Sequence, residues 1–371
     1  MIKRVLQIGY LNPLKNYGGV EKYILNLSKS LKTSNDVTVD ILCADSIPSI
    51  AKSAFGNIIS LKVPFFENKN MFFVSKYLYG RLVRNYINRH SGEYDVFHFH
   101  GDNGLIGNKW SKKSILTLHG VAKRKSTIKG KIVSFLPAYI EKNNAKRAKR
   151  IFSVSIEAME FFIKYNKEIQ IIKQSVDTSL YHDFDPAERQ KARDRLAIAN
   201  DVIMGTIIGR EPKRKGLSIA INAVESTGDQ RLKLYAIGFP VEEIKDDIVK
   251  FTGNIDDDTK LSYLAASNFF IFPSRKEGFP ISVLEAALCG IPLIVSKSAG
   301  VSELQSLVPF FREIESYDPQ AYSSAIKDYI RFYSKKKPIE FKNNPLEREK
   351  FSIFNSTRIY MEAYESITKY S

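Results

Sequence analysis

The most informative stretch of this chain is Pro273-Ser274-Arg275-Lys276-Glu277-Gly278-Phe279-Pro280-Ile281-Ser282-Val283-Leu284-Glu285-Ala286. The apolar run Asn268–Phe272 ends at this stretch and predicts a buried strand. A polar loop follows, and Pro280 predicts the start of a helix because its missing N–H would be unpaired there anyway. The free N–H groups of a first helical turn attract anions. We therefore predict a strand, a loop and a helix whose N-terminus binds a phosphate.

Two carboxylates flank the predicted phosphate site, Glu277 in the loop and Glu285 one turn inside the helix. A carboxylate does not hold a phosphate, but it accepts hydrogen bonds from hydroxyls. A phosphate with hydroxyl-binding groups on both sides indicates a sugar nucleotide as the ligand. The same residues also fit an ordinary strand–loop–helix with two solvated glutamates.

The pattern E-G-F-x-x-x-x-x-E-A resembles the donor site of retaining GT-B glycosyltransferases, the group 1 family related to glycogen synthases and bacterial mannosyltransferases. The resemblance implies an α/β protein with two Rossmann-like domains whose parallel sheets face each other across a cleft. It implies an acceptor domain at residues 1–174, a nucleotide-sugar domain at 175–350 and a C-terminal helix at 351–371 that crosses back to the first domain. Glu285 would bind the ribose hydroxyls and Glu277 the sugar hydroxyls. The resemblance adds further donor-binding residues: Gly278, Phe279, Pro280, Ile281 and Ser282.

A second motif resembles the family's G-R-x-x-x-x-K-G. Gly209-Arg210 ends a predicted strand, and Lys215-Gly216 opens the next helix. By resemblance, Arg210 and Lys215 neutralise the donor diphosphate as it leaves, and fixed cations in a closed site stabilise such charge. Alternatively, this is a basic loop in which Lys213 and Arg214 lie on the surface. The catalytic residues implied by the resemblance are Arg210, Lys215, Glu277 and His119.

The first half of the chain matches the family at isolated points. Gly18-Gly19 precedes a predicted helix and resembles the loop whose backbone amides approach the diphosphate, although such a pair is also common in turns. His119 ends a predicted strand, at the position of the histidine that contacts the transferred sugar in the family. His98 and His100 match no motif, and with few carboxylates nearby we expect no metal site. We also expect no cofactor, because the nucleotide sugar is the donor substrate.

The pattern of elements alternates twice between strands and helices, which is typical of parallel sheets covered on both faces. The predicted strands of the first half are Val5–Tyr10, Val37–Ala44, Asp95–Phe99, Ile115–His119, Arg150–Val154 and Ile169–Lys173. Those of the second half are Val202–Ile208, Leu232–Ile237, Asn268–Phe272 and, as the last clear strand, Ile291–Val295. The predicted helices include Val20–Leu31, Ala138–Lys149, Gly216–Ser226, Thr259–Ala266 and Ile353–Tyr370. We place the domain junction within residues 174–200.

Composition indicates a globular protein of two domains, because 371 residues with 44% apolar content can bury two cores. Cys43 and Cys289 are far apart in sequence, so we expect neither a disulfide framework nor a zinc site. No apolar run in the sequence is long enough to span a membrane, and we expect no leader peptide. We therefore expect a cytoplasmic location.

The net charge of +16 is confined to the first half of the chain. Residues 1–180 contain 29 Lys and Arg against 13 Asp and Glu, whereas residues 181–371 contain 27 of each kind. A nucleotide-sugar site needs only a few cations, so this excess indicates another anionic partner. Two segments concentrate it: Lys69–His90, where basic and aromatic residues are interleaved, and Ala122–Arg150, with ten basic residues and one acid.

Basic residues mixed with exposed aromatic residues suit an anionic membrane surface, and they also suit RNA. We favour the membrane and expect no nucleic acid. The sequence thus predicts a metal-independent enzyme, peripheral on the inner face of the cytoplasmic membrane, with a lipid-linked or polysaccharide acceptor. A soluble enzyme with a small sugar or sugar-phosphate acceptor is the alternative, and a nucleic-acid-binding protein is a more distant one. The predicted membrane or acceptor contacts are Lys76, Arg81, Arg84, Lys123, Arg124 and Lys125.

Overall fold

A computed structural model describes residues 2–15, 18–120, 128–240, 248–275, 277–297, 301–334 and 343–369. The chain divides into two compact units. Unit 1 comprises Met1–Asp177 with Phe351–Ser371, and unit 2 comprises Thr178–Lys350. Each unit is built on a mainly parallel sheet, which confirms the α/β class predicted from the alternating pattern.

Unit 1 takes its strands and most of its helices from the first half of the chain. In chain order these are β1 (Arg4–Ile8), α1 (Gly19–Asn35), β2 (Thr38–Asp45), β3 (Ser49–Lys52), β4 (Asn57–Lys62), α2 (Phe72–His90), β5 (Val96–His100), β6 (Ser114–Leu118), α3 (Ile128–Arg147), β7 (Arg150–Ser153), α4 (Ile156–Phe162) and β8 (Ile169–Ile171). Within the described residues, the strands form one sheet in the order β3-β4-β2-β1-β5-β6-β7-β8.

Unit 2 follows with a second sheet. Its elements are α5 (Pro186–Arg195), β9 (Ile203–Ile208), α6 (Pro212–Lys215), α7 (Leu217–Glu225), β10 (Leu232–Ile237), β11 (Val249–Gly253), α8 (Asp257–Ala266), β12 (Phe269–Phe272), α9 (Ile281–Leu288), β13 (Leu293–Ser296), β14 (Phe311–Ile314), α10 (Pro319–Ser334) and α11 (Pro345–Glu349). The strand order over the described part of this unit is β11-β10-β9-β12-β13-β14. The chain then returns to unit 1 as α12 (Ile353–Thr368).

The structure adds strands that the sequence pattern did not predict. β3 pairs antiparallel with β4 at the edge of the first sheet, and all four residues of β3 are exposed or half-buried. An edge strand of this kind has no buried apolar run to mark it. In unit 2, β11 and β14 form the two edges, so Ile291–Val295 is not the last strand of the chain.

The core of unit 1 places two helices over one face of its sheet. α12 packs beside α1, and the Thr357 hydroxyl of α12 donates to Ser30 of α1 at 2.7 Å. Tyr23, Tyr360 and Tyr364 from these helices are fully buried against the sheet. Among the described residues, no helix has the length and apolar character needed to cross a membrane.

The core of unit 2 positions the stretch that opened the sequence analysis. β12 lies between β9 and β13, and all four of its residues are buried. Because these strands are parallel, the segments that follow β9 and β12 leave the sheet at the same edge. The Gly209-Arg210 and Pro273–Ala286 motifs are therefore neighbours in the fold.

Candidate active site

The loop after β12 is anchored to the end of α6. The backbone N–H of Arg275 donates to the carbonyl of Arg214 at 3.0 Å, and the Ser296 hydroxyl donates to the carbonyl of Ser274 at 2.6 Å. Pro280 is the N-cap residue of α9, which begins at Ile281, one residue later than predicted. Within the described residues no side chain caps this helix, so the loop holds an uncapped helix N-terminus at the edge of the sheet.

One of the two carboxylate oxygens of Glu277 accepts three hydrogen bonds. Its Oε1 accepts hydrogen bonds from Arg214 Nη1 at 2.8 Å, Lys215 Nζ at 2.9 Å and Ser274 Oγ at 2.6 Å. Its Oε2 accepts none from the residues that the structure describes. The Glu277 side chain is 8% exposed. One oxygen of Glu277 thus fixes two cations, and the other is left to accept a hydroxyl.

Gly216 brings the two cations close to the loop. It has a left-handed backbone with φ of 72°, and a Cβ at this position would lie 2.2 Å from the carbonyl oxygen of Pro273. Only glycine permits both this backbone and this approach. Burial lowers the pKa of the adjacent Lys215 ammonium, and the Glu277 carboxylate opposes that effect. Lys215 also lies over the Phe272 ring, with Nζ 4.7 Å from its centre.

Arg210 does not join the Glu277 cluster. It is exposed in the short segment between β9 and α6, and it forms no ion pair within the described residues. Arg214, a surface residue in the basic-loop alternative, pairs with Glu277.

Glu285 is almost fully buried, with 4% of its side chain exposed. Tyr181 donates its hydroxyl to Oε1 at 2.6 Å, and Lys260 Nζ lies 2.9 Å from both oxygens. Lys260 also pairs with Asp257 at 3.0 Å. The predicted ribose-binding carboxylate is therefore held by two donors that the sequence analysis did not identify.

Gly18 and Gly19 lie at the start of α1, as N-cap and first helical residue. The carboxylate of Glu21 closes over Gly18, because a Cβ there would lie 2.1 Å from Glu21 Oε2. Gly18 has no side chain with which to cap this helix.

His119 follows β6 and is partly exposed at the carboxyl edge of the first sheet. Its Nε2 lies 3.0 Å from Nδ1 of the buried His100. Burial lowers the pKa of His119 to about 4, so this ring is neutral at physiological pH. Over the described residues, no group of three His, Cys, Asp or Glu side chains has the arrangement of a metal site.

The predicted basic residues divide into three groups. Arg81 and Arg84 are exposed on α2. The Lys76 side chain is only 14% exposed and its ammonium pairs with Asp102 at 2.5 Å, so Lys76 is not an exposed surface cation. Lys123, Arg124 and Lys125 lie outside the described residues.

Family models match both units. The model described as glycosyl transferases group 1 matches residues 203–331, and the model described as glycosyltransferase family 4 matches residues 17–180. Together the two matches cover most of the chain. The chain belongs to the group 1 glycosyltransferases.

Relatives of this glycosyltransferase are distant in sequence. An uncharacterised glycosyltransferase of Methanocaldococcus jannaschii is 26% identical over 304 residues, which cover 77% of each chain. A D-inositol 3-phosphate glycosyltransferase of Acidothermus cellulolyticus is 24% identical over 275 residues, which cover 64% of this chain and 60% of the relative.

Solved structures support the fold of this glycosyltransferase at low identity. A sucrose-phosphate synthase from Thermosynechococcus elongatus superposes with a TM-score of 0.78 at 17% identity, and all of both chains is covered. The Anabaena protein HepE, solved in complex with UDP and glucose, superposes with a TM-score of 0.68 at 17% identity over 99% of this chain and 100% of its own. The predicted GT-B fold class is thus confirmed.

Proposed function

We propose that this glycosyltransferase moves a sugar, with retention of configuration, from a UDP- or GDP-sugar to a lipid-linked or polysaccharide acceptor at an anionic membrane surface. Family membership and the geometry of unit 2 support the part of this proposal that concerns the sugar-nucleotide donor. The part that concerns a membrane acceptor, the acceptor half, rests on the basic and aromatic surface of unit 1.

The diphosphate is assigned to the cations that follow β9. Glu277 Oε1 holds Arg214 and Lys215 within 2.9 Å, so both guanidinium and ammonium are fixed before a ligand arrives. Such fixed charges stabilise a leaving group without reorganising during the reaction. Arg210, exposed between β9 and α6, would supply a third cation. The free Oε2 of Glu277 then accepts a hydroxyl of the transferred sugar.

The nucleoside is assigned to Glu285 and the start of α9. Lys260 and Tyr181 hold the buried Glu285 in place, with the Lys260 ammonium 2.9 Å from both carboxylate oxygens and the Tyr181 hydroxyl 2.6 Å from one of them. The Glu285 carboxylate would then accept hydrogen bonds from the ribose hydroxyls as well as from Lys260. The amides of Ile281 and Ser282, in the uncapped first turn of α9, would donate to a phosphate.

The proposed reaction needs no side-chain nucleophile. The bond between the anomeric carbon and the diphosphate oxygen breaks through an oxocarbenium-like transition state, and the acceptor oxygen bonds to the same face. The departing phosphate oxygen takes the proton of the acceptor hydroxyl. We propose that the three cations meet the charge of the diphosphate without a divalent ion. Transfer that stops with EDTA and resumes with Mg²⁺ would contradict this part.

Two lysines of the basic segment, Lys142 and Lys146, lie beside aromatic and basic residues that follow the segment in unit 1, and this grouping supports a membrane contact. We define the basic–aromatic surface as Lys142, Lys146, Phe161, Lys164 and Tyr165. The ammonium groups of Lys142, Lys146 and Lys164 lie 5.2, 5.9 and 5.2 Å from the centre of the Tyr165 ring. The Lys164 ammonium also lies 4.7 Å from the centre of the Phe161 ring.

Exposed apolar side chains accompany these cations. Phe161 is 43% exposed, and Ile156 and Ile163, at either end of the same helix α4, are 62% and 45% exposed. Cations beside exposed apolar groups match the boundary between anionic headgroups and acyl chains. Each basic residue near such a surface contributes about 1 kcal/mol.

Vesicle binding tests the acceptor half. We expect the wild type to co-sediment with vesicles of phosphatidylglycerol and phosphatidylcholine, and the triple variant Lys142→Glu, Lys146→Glu, Lys164→Glu to remain in the supernatant. The matched control is Lys29→Glu, Lys52→Glu, Lys109→Glu, which changes the net charge equally at exposed lysines elsewhere in unit 1. Equal loss of binding in both variants would show a net-charge effect only. Unchanged binding of the first variant would contradict the proposed surface.

A small soluble acceptor is the second candidate. The Acidothermus relative is named for an inositol phosphate, which is a small polar molecule, and the excess cations of unit 1 would also suit a sugar phosphate. The two candidates differ in the effect of lipid. Transfer to a small sugar phosphate that is equally fast with and without vesicles would favour the soluble enzyme.

A further inference from the structure

A chain of polar side chains runs through the core of unit 1 and ends at His119. Gln7 of β1 and His98 and His100 of β5 are each fully buried. Side chains two residues apart on a strand share a face, so both histidines lie on the sheet face covered by α1 and α12. A buried polar group is costly unless it is hydrogen-bonded. The hydrogen-bond partners of these side chains therefore indicate which of their atoms carry protons.

The contacts from α1 to His119 are continuous. Gln7 Nε2 lies 3.1 Å from the Ser28 hydroxyl, and Gln7 Oε1 lies 2.9 Å from His100 Nε2. His100 Nδ1 lies 3.0 Å from His119 Nε2. The Ser28 hydroxyl itself donates to the carbonyl of Ile24 at 2.8 Å.

The direction of each hydrogen bond follows from the Ser28 end. Because the Ser28 hydroxyl donates its one proton to Ile24, it accepts from the amide of Gln7, and Gln7 Oε1 is left to accept from His100. His100 therefore carries its proton on Nε2, and its Nδ1 is an acceptor. Burial lowers the pKa of both His100 and His119, so neither ring carries a second proton. His119 must then donate from its own Nε2.

The orientation of His119 is fixed as well as its tautomer. Its ring stacks on His100 with the ring planes 28° apart and meets the edge of Tyr23 at 5.3 Å between centres. The second nitrogen, Nδ1, forms no hydrogen bond to any residue that the structure describes. It is the one polar atom of the ring left for a ligand.

The C-terminal helix holds the other end of the histidine stack. His98 stacks on His100 with 4.3 Å between ring centres. The His98 nitrogens lie 2.8 Å from the Tyr364 hydroxyl of α12 and 2.7 Å from the Thr117 hydroxyl of β6. The positions of these rings therefore depend on α12 as well as on the sheet.

We propose that Gln7 and His100 are positioning residues that hold His119 as the neutral Nε2–H tautomer, with Nδ1 presented as an acceptor for a hydroxyl of the transferred sugar. The identity of the ligand rests on the proposed function. The tautomer rests only on the contacts within unit 1.

Nuclear magnetic resonance of the ¹⁵N-histidine-labelled protein tests the tautomer directly. The chain has five histidines, and the signals of His100 and His119 are assigned by their loss in His100→Gln and His119→Gln. At neutral pH we expect a protonated Nε2 and an unprotonated Nδ1 for both rings. A protonated Nδ1 on His119, or a mixture of tautomers, would overturn the proposal whether or not the protein transfers sugar.

Two variants of Gln7 separate positioning from general stability. Gln7→Leu removes the acceptor of His100, so we expect mixed tautomers at His119 and a roughly tenfold loss of kcat/KM with the donor sugar nucleotide. Gln7→Glu keeps an oxygen acceptor, and we expect it to retain the wild-type tautomer and most of the activity. The affinity for UDP or GDP without a sugar should not change in either variant.

The outcomes of this series are distinguishable. Loss of thermal stability in Gln7→Leu with an unchanged His119 tautomer and unchanged kcat/KM would show a purely structural role and overturn the proposal. If Gln7→Glu does not fold, the wild-type spectrum still decides the tautomer. If the wild type transfers no sugar from any donor, the proposed function fails while the tautomer result stands.

Discussion

The ammonium of Lys260 lies 2.9 Å from both carboxylate oxygens of Glu285. The pair joins α8 to α9 in unit 2, and the side chains are 12% and 4% exposed. Removing one partner of a buried ion pair leaves the other charge without compensation, which is costly. Lys260 thus holds the carboxylate that the proposed function assigns to the ribose.

Replacing Lys260 tests the importance of this pair for folding. We expect Lys260→Met to lower the free energy of unfolding by about 3 kcal/mol, measured by urea denaturation. The double variant Lys260→Met, Glu285→Gln should recover most of this loss, because no buried charge is then left alone. Lys297→Met, which breaks an exposed pair with Glu315, is the control and should leave the midpoint unchanged. A Lys260→Met midpoint equal to that of the wild type would contradict a buried, coupled pair.

Gly216 offers a test of the close approach between α6 and the Pro273 loop. Gly216 and Gly228 both have a left-handed backbone, with φ of 72° and 74°, but a Cβ at Gly228 would meet no atom within 4 Å. We expect Gly228→Ala to cost about 1–2 kcal/mol of stability from the backbone alone. Gly216→Ala should cost about 3 kcal/mol, because the Pro273 carbonyl must also move.

Nucleotide binding separates these two glycine variants further. Because Gly216 adjoins Lys215, Gly216→Ala should weaken the binding of UDP or GDP in calorimetry, and Gly228→Ala should not. Equal stability and equal nucleotide affinity of the two variants would show that the approach to Pro273 is unimportant.

Arg214 tests the assignment of the diphosphate cations. Its guanidinium lies 2.8 Å from Glu277 Oε1, beside Lys215. We expect Arg214→Met to lower kcat roughly 100-fold, which is typical when one fixed donor to developing charge is removed. The control is Arg231→Met, which removes an exposed arginine paired with Asp229 just before β10. An activity of Arg214→Met within threefold of the wild type, on the order of a lost surface contact, would remove Arg214 from the proposed site.

Much of the fold could be predicted from sequence for a physical reason. Strands buried on both faces, such as β12, need continuous apolar residues, and these runs alternate with amphipathic helices. The exposed edge strand β3 lacks that signal and was missed. The motif around Glu277 and Glu285 predicted where the loop and α9 would lie, within one residue of the start of the helix.

The partners of the site residues could not be predicted, because they are distant in the chain. Tyr181 is 104 residues from Glu285, and Gln7 is 93 residues from His100. No local periodicity records such contacts. Arg214 lies within the second motif, but its basic neighbours made it resemble an ordinary surface residue. Its sequence position next to Lys215 and the obligatory Gly216 was the signal that could have identified it.

The buried histidines predict a pH dependence of stability. Burial lowers the pKa of His98 to about 3 and of His119 to about 4, below the value of about 6.5 for an exposed histidine. Below about pH 6.5 these histidines therefore bind protons in the unfolded chain but stay neutral in the folded protein. This contribution to stability is complete above about pH 6.5 and is lost as the pH falls towards 4, by about 1.4 kcal/mol per pH unit for each ring.

Urea denaturation at pH 7, 6 and 5 measures this dependence. We expect the free energy of unfolding to fall over this range, and His98→Gln to show a shallower fall than the wild type. Equal slopes in the two proteins would show that His98 is not buried in its neutral form.

Thermal denaturation with UDP, GDP, ADP and NAD is the most direct test of the central claim, which is that unit 2 binds the donor nucleotide through Glu285. A diphosphate at 100 times its dissociation constant should stabilise the protein by about 2.7 kcal/mol. We predict a rise in melting temperature with UDP or GDP, and no rise for Glu285→Gln measured against its own ligand-free melting temperature. No rise with any of the four ligands, or an equal rise in Glu285→Gln, would contradict the claim.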